Sequence, residues 1–166
     1  MRRETRDERE ACRERLLASN QQLPTSNCFM NEKIYRDADV DQSILNGKTI
    51  AVLGYGIQGK AQAANARDSG CKVIIGSGGS IEQASADGFE AMSIADAVKR
   101  ADVILIELAD PVQPKIYNSE IAPNLRDGQT LCFCHGFSVR YGQIRPPNNV
   151  NTVLFVPNAP GRFVRE

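Results

Sequence analysis

From residue 48 onward, short apolar runs alternate with mixed apolar and polar stretches, and turn-forming residues separate them. Thr49-Ile50-Ala51-Val52-Leu53 reads as a strand. Residues 58–69 read as a helix that stops at Gly70. A second strand covers 72–75, followed by the loop Gly76-Ser77-Gly78-Gly79-Ser80. Residues 81–87 form a short helix ended by Gly88, and 89–92 a short strand. Ser93-Ile94-Ala95-Asp96 has the form of a capping box and opens a helix to Arg100. Residues 103–108 suit a strand buried on both faces, with Glu107 as its one acid. That acid either reaches solvent at the strand's end or faces a cleft. A helix over 111–120 carries Pro114 in its first turn, and Asp127-Gly128 marks a turn. Strands over 130–134 and 152–156 complete the series, with no internal repeat. This alternation predicts an α/β fold, a Rossmann-like, doubly wound, mostly parallel sheet with helices on both faces.

The first 29 residues break the pattern. Residues 2–15 are mostly Arg, Glu and Asp, and a polar Ser-Asn-Gln-Gln stretch follows. Some i,i+4 pairs attract (Arg3 with Asp7) and others repel (Arg2 with Arg6, Glu10 with Glu14). Residues 1–29 are therefore expected to be a charged, disordered extension, and 30–166 the folded domain. Met30 is an alternative start, because the domain-like pattern begins just after it. At 42% hydrophobic and 24% charged residues over its whole length, the chain can build one core. The formal net charge is zero, which argues against nucleic acid or anionic membrane as a partner. No apolar run approaches the ~20 residues of a membrane span, and no apolar segment of a secretory signal follows the N-terminus. Cys12, Cys28, Cys71, Cys132 and Cys134 are odd in number and hold no C-x-x-C spacing. They read as reduced thiols of a cytoplasmic protein. Cys132 and Cys134, two apart in a strand, share one face.

The chemistry concentrates where the first strand meets its helix. Gly54-Tyr55-Gly56-Ile57-Gln58-Gly59 is G-x-G-x-x-G with a strand before it and a helix after it. Gly54 allows the tight turn, Gly56 admits a pyrophosphate to the backbone, and Gly59 lets the helix lie close on the sheet. The helix mouth then offers N–H groups and a positive dipole end to phosphate. The end of the second strand carries no acid to hold an NAD ribose, so NADP is permitted. Ser77 and Ser80 could hydrogen-bond a 2′-phosphate, although no Arg in that loop neutralises it. Asp110, Pro111, Val112 and Gln113 lie past the carboxyl end of a strand, where such sheets bind ligands. His135, the only histidine, falls at the same edge, where it is equally a proton-transfer group or a hydrogen-bonded structural residue.

Residues 34–165 resemble the N-terminal domain of ketol-acid reductoisomerases. The matching landmarks include Lys33-Ile34-Tyr35, Gly54-Tyr55-Gly56, Gln58-Gly59, Ala61-Gln62-Ala63, Val112-Gln113, Ile121-Ala122-Pro123-Asn124-Leu125, His135-Gly136-Phe137, Gly142-Gln143-Ile144 and Pro146-Pro147. That family reduces and rearranges acetohydroxy acids in branched-chain amino-acid (isoleucine and valine) synthesis with NADPH and Mg²⁺. The resemblance implies that Tyr55, Gly56, Ile57 and Gln58 hold the pyrophosphate and that Ser80 meets the 2′-phosphate. It further implies that 110–113 line the coenzyme cleft, that His135 is the active-site histidine, and that Gly161 touches the coenzyme. The chain departs from the family at Ile57 (usually Ser), Lys60 (usually His), Ala109 (usually Pro) and Asn158 (usually Lys). Its second loop lacks the usual Arg or Lys. Family members continue into a helical domain whose carboxylates bind Mg²⁺, and no such ligands are found in this chain, so no metal-site residue is assigned.

Three readings follow. The first is an NADP-dependent oxidoreductase domain acting on a 2-keto or acetohydroxy acid, incomplete as a single chain. It would work with a helical domain or a second copy as partner. The second is an inactive NADP-binding remnant or regulatory module. The third is a small reductase with another substrate.

Overall fold

The computed structural model describes Arg36 and residues 39–165. Residues 1–29, Lys33-Ile34-Tyr35, Cys12 and Cys28 lie outside them. By contacts the chain divides into Met1–Asp41 and Gln42–Glu166. Within the first unit the Arg36 amide donates to the Asp39 carboxylate at 3.0 Å. The second unit carries everything below.

Six strands, β1 (Thr49–Leu53), β2 (Lys72–Gly76), β3 (Glu90–Met92), β4 (Val103–Ile106), β5 (Thr130–Phe133) and β6 (Asn151–Leu154), form one sheet. Their order is β3-β2-β1-β4-β5-β6 and every pairing is parallel. Connection order therefore reverses between β1 and β4, and ligands of such sheets bind at that reversal. The helices are α1 (Ile57–Asp68), α2 (Ile81–Ala86), α3 (Ile94–Arg100), α4 (Gln113–Ile116) and α5 (Phe137–Arg140). The doubly wound, parallel α/β expectation holds.

Alternation along each strand sends its side chains to two cores. Ala51, Leu53, Ile74, Ile104, Ile106, Leu131 and Phe133 pack on one face with Ile94, Ala97 and Val98 of α3 and with Tyr117 and Ile121. Ile50, Val52, Ile75 and Leu105 pack on the other with Ala63 and Ala64 of α1, Ala84 of α2 and Phe89. Cys132 and Cys134 both lie on this second face. Cys71, Cys132 and Cys134 are free thiols among the described residues. At the start of α3, Ser93 Oγ accepts from the Asp96 amide at 3.2 Å and donates to its carboxylate at 2.7 Å, as the capping box predicts.

β6 runs over 151–154 rather than 152–156, and three further differences from expectation each have a physical reason. β4 ends at Ile106 rather than at 108 because β1 turns away at Gly54. The Glu107 amide still bonds the Leu53 carbonyl at 2.9 Å, and there the partner strand stops. The helix expected over 111–120 is α4 followed by a π turn at Tyr117–Ile121 and a 3-10 turn at Ala122–Asn124. Pro123 has no N–H to donate to the carbonyl four residues back, so the turns widen before it. α5 lies where no helix was expected. It is a single turn after Gly136, shorter than a periodic pattern can reveal.

Gly54 adopts φ +99°, a left-handed conformation that side chains rarely take. Gly59 has no room for one: a Cβ there would sit 2.1 Å from the Gly54 carbonyl oxygen. Gly59→Ala is therefore expected to push α1 off β1 and to lower unfolding stability by about 3 kcal/mol. Gly78→Ala, where a Cβ meets nothing within 4 Å, should change it by less than about 0.5 kcal/mol. Urea unfolding of the two variants separates close packing from a general dislike of lost glycines.

Candidate functional site

The short path from β1 into α1 leaves the helix mouth at the carboxyl edge of the sheet. α1 starts at Gly56, whose backbone is extended and whose side-chain position is open, with nothing within 4 Å. Ile57, 77% exposed, stands beside it. The first amides of α1 have no partners within the helix and no side-chain cap. An anion can reach them where a Cβ at Gly56 would otherwise intrude.

A cleft of about 480 Å³ opens on this mouth. Gly56, Ile57 and Gln58 form one wall. Leu108, Ala109, Asp110 and Gln113 beyond β4 form another, and Cys134, His135, Val156 and Pro157 close the third. The fold thus brings Gly56, Ile57, Gln58, Asp110, Gln113 and His135 together. Gly54, Tyr55, Gly59, Pro111, Val112, Ser77, Ser80 and Gly161 do not line this cleft. Gly54 and Gly59 act beneath it, in the turn that shapes the mouth. Tyr55 points its ring into the second core against Phe89. Its hydroxyl donates to Asp87 at 2.9 Å. Burial and that bond raise the phenol to about 12. Asp87 is held below the usual carboxylate range by Lys60, 2.7 Å away, and by Tyr55.

Ser77 and Ser80 sit at the end of β2, on the far side of β1 from the cleft. Ser77 is buried, and its hydroxyl accepts from the amides of Gly79 (3.3 Å) and Ser80 (3.0 Å). It therefore shapes the loop from inside. Ser80 is half-buried and makes no side-chain cap bond to α2.

His135 Nδ1 lies 2.8 Å from Asp110 Oδ2. The imidazole is 63% exposed and the carboxylate 37% exposed, so water weakens their attraction. The contact matters more for orientation, because it fixes Nδ1 and leaves Nε2 to meet a ligand. Gln113 is 1% exposed; its amide nitrogen donates to the Leu108 carbonyl at 3.2 Å. Its buried oxygen has no partner. A buried acceptor beside a cleft fits a ligand that brings an N–H or O–H.

Two features were beyond sequence reasoning. One is the pair Glu107–Cys134. Cys134 Sγ donates to Glu107 Oε1 at 2.6 Å, and both side chains line the cleft. Glu107 thus faces the cleft rather than open solvent. Burial raises its carboxyl above the usual value, opposed by hydrogen bonds from Cys134 and Gln62. Burial, then Glu107 itself, push the Cys134 thiol up. The acid within an apolar run was the available signal, but its partner just past β5 was not visible. The other feature is the C-terminal segment. Gln58 Nε2 donates to the Ala159 carbonyl at 3.1 Å, and Asn65 Nδ2 to that of Val164 at 2.9 Å. Gly161 lies so close to Ile57 that a Cβ would meet its carbonyl oxygen at 2.6 Å. Gly161 therefore braces the mouth of α1.

Among the described residues, no group of three or more His, Cys, Asp or Glu side chains could hold a metal ion. The Mg²⁺ expected by resemblance finds no ligand set there. No described helix is long and apolar enough to cross a membrane.

Burial of Glu107 has a measurable pH signature. The folded chain binds this proton more tightly than the unfolded chain, whose carboxyl titrates near 4.5. Its contribution to stability therefore falls as pH rises through and above that value. Glu107→Gln should flatten this part of the slope when thermal unfolding is followed from about pH 4 to about pH 8. Parallel slopes for variant and wild type would contradict the burial of this acid.

Residues 44–166 match the family model described as acetohydroxy acid isomeroreductase, NADPH-binding domain. The chain is 53% identical over 137 residues to a ketol-acid reductoisomerase (NADP(+)) of Pyrobaculum neutrophilum, covering 81% of this chain and 42% of that protein. It is 52% identical over 137 residues to the protein of the same name from Pyrococcus abyssi, covering 81% and 41%. Among solved structures, an NADH-preferring ketol-acid reductoisomerase from an uncultured archean matches with a TM-score of 0.76 and 46% identity. That match covers 80% of this chain and 42% of the other. The chain spans about two fifths of the length of these curated relatives.

Proposed function

The chain belongs to the family of acetohydroxy acid isomeroreductase NADPH-binding domains, and from that premise we propose that its cleft holds NADP(H) for reduction of a 2-keto or acetohydroxy acid. The open backbone at Gly56, set at the mouth of α1, is the observation that carries the reading. The amides of Gly56, Ile57 and Gln58 would receive the pyrophosphate. The adenosine half would extend over β1 toward Ser80, whose hydroxyl meets a 2′-phosphate. The nicotinamide half would then lie over the ends of β4 and β5, between Gln113 and His135. Gln113 Oε1 would accept from the carboxamide and set the ring's orientation. When bound, the reduced nicotinamide supplies a hydride. His135, oriented by Asp110, would exchange a proton at Nε2 with the oxygen of the carbonyl being reduced. Asp110 keeps Nδ1–H engaged during that exchange. Val156 and Pro157 would limit water on that side of the ring.

Branched-chain amino-acid synthesis is the setting that the family supplies, and isomerisation there requires Mg²⁺ ligands that the described residues do not form. A helical domain would have to bring them. A second reading is a domain that binds coenzyme without turnover.

Fluorescence titration with NADPH tests the reading. Gly56→Val should keep the fold, because its Cβ position is open. It should weaken NADPH by about 30-fold or more, since a branched side chain would hold the pyrophosphate away from the amides. Equal affinity in variant and wild type would overturn the assignment. Adding acetolactate and Mg²⁺ to the wild type then separates the two readings: NADPH oxidation supports the enzyme, and binding alone supports the module.

A further inference from the structure

Glu107 is out of place in a cleft built for a polyanion. Among the described residues, no Lys or Arg lines the cleft, and the second carboxylate, Asp110, is committed to His135. The described groups that face Glu107 are few: Gln62 on α1 and Cys134 just past β5, with Cys132 on the same face of the sheet. Its hydrogen bonds come from an amide and a thiol, both neutral. A half-buried carboxylate with only neutral partners is costly, and it becomes favourable when a cation is placed against it.

Its location says which cation. The adenosine end of a dinucleotide belongs to the β2 side of the helix mouth and the nicotinamide end to the β4 side. Glu107 follows β4 directly, and Cys134 follows β5. The pair therefore lies beneath the nicotinamide half. A nicotinamide ring is neutral when reduced and carries one positive charge when oxidised. We propose that Glu107 is a specificity-determining residue that makes the cleft prefer the oxidised coenzyme, NADP⁺, over NADPH. This inference rests on the coenzyme reading above. Cys134 holds the carboxylate in place from the end of β5, so the charge stays fixed under the ring. Loss of hydride from the reduced ring creates positive charge there, and the same carboxylate favours that change.

Two measurements on the purified chain test the inference. Calorimetric titration with NADP⁺ and NADPH at about pH 8, well above the ordinary carboxylate range, gives both dissociation constants. Glu107→Gln should weaken NADP⁺ by roughly tenfold and leave NADPH within about twofold, given one charge pair in a partly wet site. A common factor for both forms, or no change in either, would overturn the inference while leaving the coenzyme site standing. If the wild type binds neither form, the coenzyme reading fails as well. The second measurement needs no variant. Near the titration of Glu107, NADP⁺ binding should release more protons than NADPH binding, compared in buffers of different ionisation heat. The 2′-phosphate is common to both forms and cancels. Equal proton release would overturn the inference even if Glu107→Gln failed to fold.

Discussion

The fold and its cleft depend on one contact, the approach of Gly59 to the Gly54 carbonyl. No side chain fits between α1 and the end of β1 at this point. Because the helix lies so close, its mouth opens at the carboxyl edge of the sheet rather than above one face. The small residues Ala61, Ala63 and Ala64 continue that approach along the helix. On the other flank, the C-terminal segment repeats the device, with Gly161 against Ile57. The turn at the mouth of α1 is thus clamped from the sheet below and from residues about a hundred positions later. A backbone held on both sides presents its amides without reorganising when an anion arrives.

The cleft sets two kinds of electrostatics side by side. At the helix mouth, unpaired amides and the dipole favour negative charge. About the ends of β4 and β5, two carboxylates and one imidazole create the opposite preference. Asp110 uses its charge to orient His135, whereas Glu107 has only a thiol and an amide for company. A dinucleotide has the same polarity, with its phosphates at one end and a ring that gains positive charge on losing hydride at the other. This correspondence ties the turn at Gly56 to the chemistry expected near His135.

Much of this was legible in the chain. The five residues of β1, the turn after it and the start of α1 follow from an apolar run meeting three spaced glycines. Ser93 and Asp96 announced α3, and Gly70 and Gly88 marked the ends of α1 and α2. These are local signals, decided within one turn of backbone. The π turn before Pro123 is local too, but it depends on how the helix accommodates a proline just beyond it, which a periodic pattern does not show. Partners far apart in sequence were not legible. Nothing near Glu107 names Cys134, and nothing near Gln58 names Ala159. Tyr55 illustrates the same limit. The family resemblance implied that it helps hold the pyrophosphate; its ring is buried against Phe89 and its hydroxyl is bound to Asp87. Only its backbone remains near the mouth.

The central claim is that backbone amides at the mouth of α1 receive the coenzyme's pyrophosphate. Amide-resolved NMR of the isotopically labelled chain during NADPH titration tests it directly. The account predicts the largest saturable shifts at the N–H groups of Gly56, Ile57 and Gln58, with Gly70 and Gly128 unmoved. Saturable binding that leaves those three amides in place and shifts others would contradict it.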